Sequence, residues 1–140
     1  MKYVQINSFH NGSTGTIMKT IHKNLQAEGI DSYIFWGRRH ESINDHEVCF
    51  TTKTGYLLHG FLSRLTDRCG FYSKKDTKNL LRRLDEIKPD VVHLHNIHGY
   101  YINIEMLFNW LACHDCQVMW TLHDCWSFTG HCPHFDYVDL

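Results

Sequence analysis

Hydrogen-bonding and small residues gather in three short stretches of the chain. The first is Asn7-Ser8-Phe9-His10-Asn11-Gly12-Ser13-Thr14-Gly15. The second is His95-Asn96-Ile97-His98-Gly99-Tyr100-Tyr101. The third runs from His123 and Asp124 through Cys125, Trp126, Thr129, Gly130, His131 and Cys132 to His134. A neutral imidazole donates and accepts at once, which suits hydroxyl groups such as those of a sugar, and Asn and Tyr add further donors and acceptors. His95, Asn96 and His98 are therefore candidates for ligand contact, while His93 suits a satisfied structural role. His123 with Asp124 can position a polar substrate or stabilise developing charge. Gly12, Ser13, Thr14 and Gly15 offer a small-residue approach for a phosphate at a helix start, or simply a tight strand-to-helix turn.

Metal chemistry needs weighing beside this. Cys125, His131, Cys132 and His134 include soft ligands, but neither they nor Cys113 and Cys116 fall into a paired zinc spacing. No metal site is expected. A divalent ion held by His93, His95, His123 and Asp124 would instead make a water-activating hydrolase, which is the alternative from a different class.

Each cluster follows a segment that reads as a strand. β-Rich residues occupy 2–6, 31–36, 91–95 and 117–122, with a short strand near 47–50. Helical periodicity appears over 16–28 (Ile17, Ile21, Leu25), 56–69 (Leu58, Leu62, Leu65), 76–87 (Leu80, Leu84, Ile87) and 103–114 (Ile104, Leu107, Leu111). Gly29 and Pro89 mark two helix ends. Strands alternating with helices imply a single α/β, Rossmann-like domain, with a mainly parallel sheet and helices on both faces. With strand order 3-2-1-4-5, the three clusters meet at the carboxyl edge, where open parallel sheets bind ligands.

The helix over 56–69 carries Leu57, Leu58, Phe61, Leu62 and Leu65 with Arg64 and Arg68 opposite. Its apolar face reads as core packing, and its basic flank also fits an anionic membrane surface. A net charge of −1, without a run of like charges, excludes the electrostatic footprint of a nucleic-acid binder. Neither a secretory hydrophobic region nor an 18-residue apolar stretch occurs, so a cytoplasmic location with reduced thiols is expected, with peripheral contact at the inner membrane face as an option.

Three runs occur together in order: Gly12-Ser13-Thr14-Gly15; Lys88-Pro89-Asp90-Val91-Val92-His93-Leu94-His95-Asn96; and Trp120-Thr121-Leu122-His123-Asp124-Cys125-Trp126-Ser127-Phe128-Thr129-Gly130-His131-Cys132. They resemble family 4 glycosyltransferases of GT-B fold, in particular the colanic-acid and exopolysaccharide biosynthesis branch. The resemblance spans nearly the whole chain and implies the N-terminal, acceptor-side half of a retaining enzyme that needs no catalytic metal or other cofactor. It implies a nucleotide-sugar donor held by a C-terminal domain and a glycan or lipid-linked sugar acceptor. It places His123 against the transferred sugar or acceptor as the catalytic candidate, Gly12 to Gly15 against the donor diphosphate or acceptor, and His95 and Asn96 in acceptor binding; His98 and Asp124, by their position near strand ends, are acceptor-binding candidates beside them. Residues 1–140 do not contain the donor domain, so transfer by this chain alone is not expected. A noncatalytic carbohydrate-binding module is the remaining alternative.

Overall fold

The computed structural model describes residues 1–38, 41–66 and 70–129. Arg68, Cys69, Gly130, His131, Cys132 and His134 lie outside them. The elements run β1 (Lys2–Phe9), α1 (Ser13–Ala27), β2 (Asp31–Arg38), β3 (Glu47–Cys49), α2 (Lys53–Thr66), α3 (Lys74–Ile87), β4 (Val91–Leu94), α4 (Ile104–Cys113), β5 (Gln117–Trp120) and α5 (Trp126–Thr129). The five strands form one sheet in the order β3-β2-β1-β4-β5, and every ladder between named strands is parallel. The expected α/β, Rossmann-like architecture and strand order are what the chain adopts.

Strand alternation divides the sheet into two unlike faces. Val4, Ile6, Phe35, Val92 and Leu94 point to one side, where Leu80, Leu84 and Ile87 of α3 and Leu107, Trp110 and Leu111 of α4 close an apolar core. The opposite side takes Ile34 and Trp36 against Met18 of α1, so helices cover both faces. That second face also carries Gln5, Asn7, His93 and His95, all buried. Buried polar side chains cost free energy unless each finds a partner, so their bonds determine what this face can do.

Two expectations change. The segment 12–15 is not a loop: α1 begins at Ser13, with Gly12 at φ 87° as the residue before it. Gly15 then lies in the first turn, and a Cβ there would run into the backbone carbonyl of His10, so glycine is what lets α1 start so close to the end of β1. The inner face of α1 is consequently Gly15, Met18 and His22, while Ile17 points outward.

The second change concerns α2, which turns its apolar side to solvent. Leu57, Leu58, Phe61 and Leu65 are 60%, 58%, 63% and 71% exposed, whereas His59, Gly60 and Ser63 are buried. Small and polar residues make the close contact instead: His59 Nδ1 bonds Ser73 Oγ at 2.7 Å, and its ring meets Tyr72 and Tyr100 edge-on. Periodicity identifies an amphipathic helix, but it does not say which side faces the core.

Candidate functional site at the carboxyl edge of the sheet

The polar face of β1 and β4 builds the site from the inside outward. Gln5, fully buried, donates through Nε2 to the backbone carbonyl of Met18 at 3.2 Å. A carbonyl only accepts, so this bond fixes the amide orientation and leaves Gln5 Oε1 facing His95 Nε2 at 3.0 Å. His95 must therefore carry its proton on Nε2. Burial, reinforced by the neighbouring His93 and His123, lowers the His95 pKa from 6.5 to about 3, so the ring is neutral at ordinary pH and Nδ1 is a bare acceptor. That nitrogen lies 2.9 Å from His123 Nε2, which must be the donor. His123 is thus held in its Nε2–H form, with Nδ1 as the ring nitrogen left over for a ligand.

His93 completes the stack from below, with its ring centroid 4.2 Å from that of His95. Tyr3 Oη lies 2.9 Å from its Nδ1 and Thr121 Oγ1 lies 2.7 Å from its Nε2. Burial and His123 lower its pKa also. Both ring nitrogens of His93 and both of His95 are thus engaged by protein groups. This arrangement disfavours the hydrolase alternative, because a metal would have to displace those partners from His93 and His95. Among the described residues no group of three His, Cys, Asp or Glu side chains is placed to hold a metal ion.

The second and third clusters meet again one turn higher. His98 Nε2 and Asp124 Oδ2 are 2.6 Å apart, and the other carboxylate oxygen of Asp124 accepts from the Trp126 backbone N–H at 3.0 Å. One carboxylate thereby closes an Asx turn leading into α5 and orients an imidazole. Trp126 lies beside the His98 ring at 5.5 Å, and Trp120 Nε1 donates to the His95 carbonyl at 3.1 Å. His95, Asn96, His98, His123 and Asp124 line one shallow pocket together with these two tryptophans.

The first cluster joins by a different route. Gly12, Ser13, Thr14 and Gly15 do not line that pocket. Asn7 connects the two: its Nδ2 donates to Thr14 Oγ1 at 3.2 Å and its Oδ1 accepts from the Asn96 backbone N–H at 3.3 Å. The start of α1 therefore stands beside the pocket, one buried amide away. Its first-turn N–H groups have no intrahelical acceptors, as at any helix start.

A search of curated proteins finds the Escherichia coli (strain K12) protein named "Putative colanic acid biosynthesis glycosyl transferase WcaC", 25% identical over 137 aligned residues. The chain is distantly similar to this protein. The match takes in 89% of this chain and 33% of the relative, so the chain spans about a third of the length of that protein. No family model and no solved structure matches.

Sequence reasoning missed Gln5 and named Asn7 only as part of its first stretch; these two buried amides organise the pocket. Their signal was available: both sit on the same side of β1, two residues apart, where alternation puts them next to His93 and His95. It also missed Arg38, whose guanidinium lies 4.8 Å from the ring centroids of both Phe9 and Tyr56 at the carboxyl end of β2. Tyr101 was named only as part of its cluster. It is fully buried and donates to the Asn96 carbonyl at 2.7 Å, holding the turn after β4 in place.

Proposed function

We propose that this chain is the acceptor-side domain of a GT-B glycosyltransferase of family 4 type, working in the cytoplasm with a nucleotide-sugar-binding domain that closes over it. The supporting observation is the anchored His123, a hydrogen-bonding imidazole held at the carboxyl edge of a parallel sheet in a chain similar to a glycosyltransferase. The substrates in this reading are a nucleotide sugar and a glycan or lipid-linked sugar acceptor. Transfer proceeds with retention and without a catalytic metal.

His123 has two modes, set by its fixed tautomer. Neutral, its Nδ1 accepts a hydrogen bond from a hydroxyl of the transferred sugar or the acceptor. Protonated, the same atom donates to charge developing on the departing diphosphate. His98, Asn96 and Asp124 orient acceptor hydroxyls, and Trp120 and Trp126 supply apolar walls of the kind that pack on sugar rings. The start of α1 at Gly12, Ser13, Thr14 and Gly15 faces a phosphate of the donor or of the acceptor. Binding both substrates in one dry cleft requires the second wall that the donor domain supplies.

Radiolabelled transfer from a panel of nucleotide sugars tests the reading. The enzyme that includes its donor domain should turn over, and His123→Ala should lower kcat by about 100-fold or more with the fold intact. Residues 1–140 alone should transfer nothing. Unchanged turnover in well-folded His123→Ala, or robust transfer by the short chain, contradicts it.

A further inference from the structure

We propose that Arg38 and Lys53 form an oxyanion subsite beside the histidine pocket, where a carboxylate or phosphate group of the acceptor is held. The proposal rests on the acceptor-side reading and adds the charge of the substrate to it.

Arg38 is the last residue of β2 and sits in register with Phe9, the last residue of β1, so its side chain leaves the sheet at the carboxyl edge. Its guanidinium lies 4.8 Å from the ring centroids of both Phe9 and Tyr56. Those contacts hold the cation by its charge, and they do not satisfy the N–H groups that lie in the plane of the fork. Among the described residues no hydrogen bond or ion pair reaches them, and Nε is buried without a partner. Arg83 shows the contrast, with Glu86 at 2.9 Å. Partial burial of a guanidinium costs free energy until its donors are met, so Arg38 is clamped between two rings and ready for an outside acceptor.

The space around it narrows the choice. Arg38 lines a cleft of about 730 Å³, large enough for a sugar-sized ligand. Most polar groups of this cleft are committed to the fold. Thr51 Oγ1 bonds the Gly37 carbonyl, Ser42 Oγ takes the Cys49 N–H at 3.0 Å, and Thr52 Oγ1 takes the Gly55 N–H at 3.1 Å. Among the described residues that leaves Arg38, Lys53, Glu41 and the Tyr56 hydroxyl without a hydrogen bond. Glu41 is exposed and pairs with neither cation, so two positive groups face one carboxylate. Asp76 approaches Thr52 as well, but it lines the neighbouring cleft between α2 and α3.

A planar fork matches the two oxygens of a carboxylate or a phosphate, whereas a neutral hydroxyl would meet one donor and leave the charge unused. Position ties this subsite to the acceptor. A Cβ on Gly99 would lie 3.4 Å from Arg38 Nη1, so the guanidinium stands directly behind the turn that follows His98. A single ligand lying across that turn meets imidazole on one side and guanidinium on the other.

Heteronuclear NMR of the isotope-labelled chain tests the proposal with glucose, glucuronic acid and glucose 6-phosphate as matched probes. Both acids should shift the Arg38 Nε–H and the Lys53 amide in saturable fashion, at least about tenfold tighter than glucose, and added salt should weaken them. The tighter acid names the source: an acidic sugar residue if it is the carboxylate, a phosphorylated or lipid-linked one if it is the phosphate. Arg38→Gln should lower the affinity for the acids by about tenfold to 100-fold, and Arg38→Lys should restore little of it, because an ammonium lacks the fork. Lys53→Gln, at an exposed position, should weaken them by about threefold with the fold intact by circular dichroism. Should Arg38→Gln not fold, the Arg38 Nε–H response of the parent protein and Lys53→Gln still decide. Acids that bind no tighter than glucose, shifts that leave Arg38 unmoved, or an unchanged affinity in well-folded Arg38→Gln overturns the proposal. None of these outcomes touches the acceptor-side reading, which stands or falls on the response of His123.

Discussion

His95 Nδ1 and His123 Nε2 are 2.9 Å apart, and their rings stack with centroids 5.2 Å apart. The buried ring dictates the state of the outer one, because Gln5 and the Met18 carbonyl fix the His95 proton on Nε2. Long-range proton–nitrogen NMR should therefore find both rings protonated on Nε2 at neutral pH. Gln5→Leu removes the acceptor and should release His95 to either tautomer, lowering turnover by about tenfold to 100-fold through misplaced His123, with much less effect on KM for the acceptor. Finding the proton of His95 on Nδ1 in the parent protein would break this chain of inference.

Stability should fall in acid for a stated reason. Burial lowers the His59 pKa to about 4, and burial with the charges of His93 and His123 lowers that of His95 to about 3, both from 6.5. The unfolded chain binds these protons first, so folding stability is fully present above pH 6.5 and drains as pH falls toward 4 and 3. The slope approaches about 1.4 kcal/mol per pH unit for each histidine. Urea titrations across this range should show it, and His59→Asn should make the slope shallower. A stability flat from pH 7 to pH 4 would contradict the buried neutral imidazoles.

Glycine to alanine changes should differ sharply by position. A Cβ on Gly37 would collide with the ring of Tyr101, the residue that holds the Asn96 carbonyl, so Gly37→Ala should destabilise by about 1–3 kcal/mol and perturb the pocket. On Gly60, inside α2, the same methyl meets only the Tyr100 ring at 3.8 Å, and Gly60→Ala should stabilise by up to about 1 kcal/mol. Chemical denaturation of both variants checks the contrast.

Asp124→Ala should act locally. It removes the Asx-turn acceptor of the Trp126 N–H and the partner of His98 together, at a cost of about 1 kcal/mol. Amide exchange at Trp126 should accelerate, and His98 should lose its fixed ring orientation in NMR spectra. Unchanged exchange at Trp126 would show that the carboxylate does not hold this N–H.

Much of this arrangement was legible in the sequence, because it rests on alternation. Strands with helices between them give a parallel sheet, and a parallel sheet in the order found puts His95, His98 and His123 at one edge. What stayed hidden depends on which side of an element faces inward. Gln5 and Asn7 lie on the side of β1 that α1 covers, and they are buried there. Leu57, Leu58, Phe61 and Leu65 read as core for the same reason in reverse. Segment 12–15 read as a loop because two glycines in four residues argue against a helix, whereas Gly15 serves the close approach of α1 to the His10 backbone.

The acceptor-side assignment is tested most directly by titrating the isotope-labelled chain with two ligand classes and following its backbone amides and histidine rings. Short-chain polyprenyl-diphosphate sugars, taken as a panel, should shift His95, Asn96, His98, His123 and Asp124 in saturable fashion, whereas nucleotide sugars alone should leave those signals nearly unmoved. Saturable nucleotide-sugar binding at His123 in the absence of acceptor, or no response to any glycan or lipid-linked acceptor, would contradict the account.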